Sequence, residues 1–168
     1  MTDGNVIRDD TGTRLMFERS LPHSRARIWQ AITDPEQRAQ WFFAGTLEPV
    51  VGGRVDLEDH GPGITGEVTA VENEALLAFT WSSIDGPTSS VRFELSEDHR
   101  GDTRLVFTHF VNDDCRPLNL LPGWHAIFDD LERYLHSGWV SEQPGRQDRL
   151  HEHYLHGATP ADSTGGPP

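Results

Sequence analysis

At 168 residues the chain has the length of one domain with a substantial core. Its 27 acidic against 14 basic residues give a formal net charge of -13, which repels phosphate backbones and anionic membranes, so no nucleic-acid partner and no membrane insertion are expected. Every Lys/Arg position is arginine, which excludes a lysine Schiff base and a P-loop lysine.

Cys115 is the single cysteine, so neither an intramolecular disulfide nor a CxxC pair can form. Nowhere do about 18 apolar residues run consecutively, and the first thirty residues hold no apolar run of signal-peptide length. A cytoplasmic protein is expected.

Residues 1–12 are polar and without period, and read as a flexible N-terminus. The folded body is expected over residues 13–140. Leu15, Phe17, Arg19 and Leu21 alternate with polar neighbours as one face of a strand that Pro22 stops. A helix follows, with Ser24 as its cap and Ile28, Trp29 and Ile32 as its apolar stripe. Asp34-Pro35-Glu36 is a second helix start, so two short helices meet near Thr33. Trp41 and Phe42 leave the second helix, placed to cover one mouth of a sheet.

From Gly45 the punctuation is that of antiparallel strands. Turn signals at Gly52-Gly53, Gly61-Pro62-Gly63, Asp85-Gly86-Pro87 and Gly101 separate strand-like runs over 46–48, 54–58, 64–71, 76–81, 90–95 and 103–110. With the first strand this makes about seven, enough for one strongly bent sheet. The last long element differs: Trp124, Phe128, Leu131 and Leu135 recur at helical spacing, and Gly138 follows as a stop. This helix alone is long enough to fill the concave side of the meander. The expected class is therefore α+β, a curved antiparallel sheet wrapped around a long C-terminal helix in a helix-grip fold. Residues 141–168 form a polar tail, within which Leu150, Tyr154 and Leu155 permit a short helix over 147–156.

The order and spacing of Arg27-Ile28-Trp29-Gln30-Ala31-Ile32-Thr33-Asp34-Pro35, Trp41-Phe42, Gly52-Gly53, Gly66-Glu67-Val68, Leu77 to Trp81, Val91 to Leu95, Gly101 to Leu105, His109 and Gly123-Trp124 resemble the SRPBCC superfamily. This is the START and birch-pollen-allergen-like group, and the match is to its branch similar to the activator of heat-shock-protein ATPase. The resemblance implies the helix-grip fold and a container for a hydrophobic or aromatic small molecule, with no shared catalytic residue set and no cofactor. It also associates the fold with homodimers, stress response and chaperone partnership. The amino-terminal domain through which the eukaryotic co-chaperone engages its partner has no counterpart here, so a chaperone-partner interaction module stands as an alternative to small-molecule binding rather than as the leading expectation.

Strand alternation supplies the candidate site. Phe79 and Trp81 share one face of their strand with Leu77; Phe93 shares its face with Val91 and Leu95; Phe107 and His109 share theirs with Leu105. These faces look toward Trp124, Phe128 and Leu131 of the long helix, with Trp41 and Phe42 at the mouth. The ten side chains either line a ligand cavity or fill the space as a core. His109 is either a satisfied core histidine or the one proton-transfer group in an apolar chamber. A cyclase or hydrolase would draw on His109, Asp56 or Glu67. His125 and Asp129, four apart on the long helix, read as a solvent-facing pair rather than a catalytic dyad. His151-Glu152-His153-Tyr154-Leu155-His156 lacks the second histidine of HExxH, so no metal site is expected.

Overall fold

The computed structural model describes residues 3–58, 63–83, 86–112, 117–141 and 143–157. Cys115, the turn residues Gly61, Pro62 and Asp85, and the end of the tail lie outside them. Among the described residues the elements run β1 (Asn5–Asp9), β2 (Gly12–Leu21), α1 (Arg25–Thr33), α2 (Pro35–Arg38), β3 (Ala44–Leu47), β4 (Arg54–Glu58), β5 (Ile64–Glu72), β6 (Leu76–Ser83), β7 (Ser89–Glu97), β8 (Thr103–Val111), α3 (Leu121–Ser137) and α4 (Arg146–Gly157). The strands make one antiparallel sheet in the order β1-β2-β8-β7-β6-β5-β4-β3. A register shift between Val68 and Ala70 bends β5. The fold is the helix grip, with α3 in the hand of the sheet.

The strand count is eight rather than about seven because residues 5–9, read from sequence as part of a flexible terminus, pair with β2 from Asn5↔Met16 to Asp9↔Gly12. This edge strand contributes only Val6 to the core, so backbone pairing holds it and no side-chain period announces it. At the other end the helix admitted within the tail forms over Arg146–Gly157.

The helix pair after β2 follows its sequence signals. Ser24 Oγ accepts from Arg27 N, and Asp34 both closes α1, through its N–H to Gln30 O, and caps α2 through Gln37 N at 2.9 Å. Ile28, Trp29, Ala31 and Ile32 are buried, which anchors the pair on the sheet. At Gly53 a Cβ would strike the Glu48 carbonyl, so that tight connection into β4 admits no side chain. Gly138, at φ +78°, ends α3 by returning its N–H to Tyr134 O at 2.7 Å.

Candidate functional site

The concave face is built from aromatic rings in direct contact. Phe93 and Phe107 lie 4.9 Å apart between centroids, Phe107 and Phe128 5.0 Å, and Phe107 and Trp124 4.2 Å. Phe79, Phe93, Phe107, Phe128 and Leu131 are all at most 2% exposed. Five of the ten expected site residues therefore pack on one another between sheet and helix.

His109 belongs to the same wall and its protonation state follows from its neighbours. The Trp124 indole N–H, which can only donate, points at His109 Nδ1 at 3.0 Å. The single proton of the neutral ring must then sit on Nε2, which donates to Ser89 Oγ at 2.8 Å; Ser89 in turn donates to Trp81 O at 3.0 Å. Burial depresses the imidazole pKa to about 4, so the ring is neutral near pH 7. The Ser89–His109 distance is that of a nucleophile and its base, but the proton runs the wrong way: His109 Nε2 gives a hydrogen to Ser89, and the ring's one lone pair, on Nδ1, is taken by Trp124. The histidine is a satisfied strut. Asp56 lies on the outward face of β4, between buried Val55 and Leu57, and pairs with Arg54; Glu67 is exposed. The side chains on which a hydrolase would depend are thus locked or turned outward.

The open part of the site is at the mouth. A cavity of about 410 Å³ lies where the exit of α2 meets α3 and the α3–α4 connection, lined by Trp41, Phe42, Phe43, Ala126, Ile127, Val140 and, on its polar side, Gln40, Asp130, Gln143, Arg146 and Gln147. Trp41 is fixed by its indole N–H to Ala31 O at 2.9 Å and stacks on Phe42 at 5.4 Å. Phe42, half-buried, touches Phe43 (4.6 Å), Trp124 (5.9 Å) and Trp81 (6.1 Å), so one ring joins the cleft to the interior.

Sequence reasoning missed the residue that shapes this loop. Arg38, fully buried, donates from Nε to Phe43 O at 3.2 Å, from NH1 to Thr33 O at 3.3 Å and from NH2 to Gly45 O at 2.5 Å. One planar guanidinium thus gathers three carbonyls around Trp41–Phe43. Burial lowers its pKa. Its only sequence signal is its place in the last turn of α2.

His125 and Asp129 are not solvent-facing, because α4 and the N-terminal segment cover that side of α3. His125 is fully buried and Asp129 is 7% exposed. His125 Nδ1 lies 2.8 Å from Tyr154 Oη, which also accepts Gly4 N–H at 2.9 Å, while Nε2 is 3.5 Å from Asp129 Oδ1. Arg146 reaches Asp129 (3.3 Å), Asp130 (2.5 Å) and Ala126 O (2.5 Å), and Arg19 Nε reaches Glu132 at 3.0 Å. His153 of the tail pairs with Asp3 at 2.9 Å. Among the described residues no group of three or more His, Cys, Asp or Glu side chains is placed to hold a metal ion. No helix among them is long and apolar enough to cross a membrane.

With this geometry in view, the chain can be compared with known proteins. Residues 22–136 match the family described as activator of Hsp90 ATPase homolog 1-like protein. The crystal structure of CalU16 from Micromonospora echinospora superposes with a TM-score of 0.73 at 19% identity, covering 93% of this chain and 96% of that one. DynU16, described as a putative protein in the dynemicin biosynthetic locus, superposes at 0.71 with 27% identity over 77% of this chain, which spans 49% of that protein. The solution structure of the Aha1 dimer from Colwellia psychrerythraea gives 0.64 at 18% identity, covering 74% of this chain and 97% of that one. No curated protein matches the chain. The matched segment takes in α1 through most of α3 and every strand from β3 to β8, and the chain belongs to the activator of Hsp90 ATPase homolog 1-like family, within the SRPBCC type of fold.

Proposed function

We propose that the chain is a cytoplasmic binding protein for a small, neutral, flat hydrophobic molecule, held at the mouth of the grip against Trp41, Phe42 and Phe43. The observation that carries this reading is the cleft of about 410 Å³ whose aromatic floor continues, ring against ring, into Trp81 and Trp124. Its volume falls within the usual range of small-molecule sites. The polar rim favours an uncharged ligand. Arg146 is already spent on Asp129, Asp130 and Ala126 O, and Asp130 on Arg133 and Arg146, so neither offers a free charge. Among the described residues Gln143 and Gln147 form no side-chain hydrogen bond; they are left to meet a ligand carbonyl or hydroxyl.

Of the ten side chains expected to contact ligand, this reading keeps Trp41 and Phe42 in direct contact, with Trp81 and Trp124 immediately behind Phe42. It gives Phe79, Phe93, Phe107, Phe128 and Leu131 to packing and His109 to support. The likeness to a protein of the dynemicin biosynthetic locus agrees with a small organic ligand.

The test uses N-phenyl-1-naphthylamine, a neutral apolar dye, followed by its fluorescence and by thermal shift. Saturation at about 100 times the dissociation constant should add roughly 2.7 kcal/mol of stability. Trp81→Ala or Trp124→Ala should weaken the dye, and aromatic extracts should displace it. Absence of any shift with a varied panel of neutral aromatic compounds would overturn the reading.

A further inference from the structure

We infer that α4 is an acid-released strap: its closed position forms the outer wall of the aromatic cleft and is latched by a hydrogen-bond relay that accepts only the neutral form of His125. Three observations carry this. The first is position. Arg146 and Gln147, at the start of the strap, and Gln143, in the connection just before it, line the cleft, and Arg146 also lines a second cavity of about 290 Å³ beside His125, Asp129 and His153. The strap therefore cannot leave α3 without opening the cleft.

The second is how little apolar surface holds it. Among the described residues of α4 only Tyr154 is buried, and Leu155 is 59% exposed. The attachment is polar: Tyr154 to His125 and Gly4, His153 to Asp3, and Arg146 to Asp129, Asp130 and Ala126 O.

The third is the proton count in the latch. Tyr154 Oη accepts from Gly4 N, and burial raises its pKa, so the phenol keeps its proton. That proton goes to His125 Nδ1, which must present a lone pair; the ring hydrogen is then on Nε2, facing Asp129. Protonating His125 puts a hydrogen on both nitrogens. Tyr154 can then only accept from Nδ1, and its own O–H loses the one acceptor it has among the described residues, in a buried site. The groups facing the ring are Asp129 of the same helix, Asp3 of the N-terminal segment (3.9 Å from Nδ1), Arg19 of β2, and His153 and Tyr154 of α4. The two carboxylates favour the cation. Burial, Arg19 and His153 oppose it, and burial is the largest effect, so the pKa is lowered.

The sign follows: the undocked strap leaves a more ordinary histidine that binds a proton near pH 6.5, while the docked one resists it, so docking is favoured above that pH and lost as pH falls. Between pH 7.5 and 5.5 the opened form gains at most about tenfold in population.

Amide exchange of the full chain, corrected for the intrinsic pH dependence, reads the latch with no ligand present. Protection over residues 146–157 should fall up to about tenfold from pH 7.5 to 5.5 while β7 and β8 stay protected. Tyr154→Phe should lower α4 protection already at pH 7.5, and His125→Gln, which cannot titrate, should remove most of its pH dependence. A strap whose protection ignores pH, a His125→Gln chain that keeps the full drop, or loss of protection in sheet and strap together would each overturn the latch. The effect on ligand rests on the cleft proposed above and is read separately: N-phenyl-1-naphthylamine should associate faster at pH 5.5 than at 7.5 in the wild type, and equally fast at both in His125→Gln. An unlatched strap with unchanged dye kinetics would overturn the coupling while leaving the latch standing.

Discussion

The two long faces of α3 hold a histidine environment each, and they solve burial in opposite ways. Toward the sheet, Trp124 and Phe128 meet rings and His109, whose two nitrogens are both satisfied in an otherwise apolar wall. Toward α4, His125 and Asp129 sit in a charged cluster with two arginines, and His125 Nε2 makes no hydrogen bond among the described residues. The first arrangement draws on dispersion and area, is insensitive to salt, and tolerates no change of shape. The second depends on protonation states and can be undone without disturbing the core.

The largest effect that would sharpen this contrast is a cavity on the sheet side. Phe128, fully buried among Phe17, Phe93 and Phe107, should cost about 3–5 kcal/mol on replacement by alanine, read by urea unfolding. A loss under about 1 kcal/mol would mean the interior is loosely filled, and would return the ligand to the space between sheet and helix.

The next effect is acid. His109 titrates near 6.5 unfolded and at about 4 folded, so its contribution is complete above pH 6.5 and declines as pH falls toward 4. From pH 8 to pH 5 this amounts to about 2 kcal/mol. His109→Gln, which cannot titrate, should flatten the stability profile by that difference relative to wild type. Trp124→Phe removes the indole donor and strands a buried nitrogen, at a cost of about 1–3 kcal/mol. If the wild-type and His109→Gln profiles run parallel, His109 is not the neutral strut that its partners require.

The sheet side of α3 was legible in the sequence and the other side was not. Alternation along 77–81, 91–95 and 105–109 and the stripe Trp124-Phe128-Leu131-Leu135 are periodic, and period is the signal that local sequence carries. His125 and Asp129 carry the same i, i+4 spacing as a surface pair; what buries them is Tyr154, 25 residues beyond Asp129, and Gly4 at the far end of the chain. Arg38 was invisible for a similar reason, since its three carbonyl partners are backbone atoms whose convergence depends on the turn that Arg38 itself stabilises. The mouth residues Trp41 and Phe42 were read correctly as leaving α2, whereas the other wall of the cleft, Ile127, Val140 and Arg146, awaited the placement of α4.

The smallest effect separates buried charge from exposed charge. On the sheet's outer surface Arg104 grips Glu18 through Nε and NH2 at 2.6 and 2.8 Å, a better geometry than Arg146 has on Asp129. Both partners are nearly half exposed, at 48% and 43% of their side chains, so water competes for each. The Arg104 bond lowers the Glu18 pKa, but solvent screening leaves little of that as stability. Glu18→Gln should therefore cost under about 1 kcal/mol and lose even that in 0.5 M salt, measured by thermal unfolding. A cost that persists in high salt would show that geometry outweighs burial in this chain. The charged face of α3 would then owe its stability to ion-pair geometry, and the neutral relay through His125 would be its minor part.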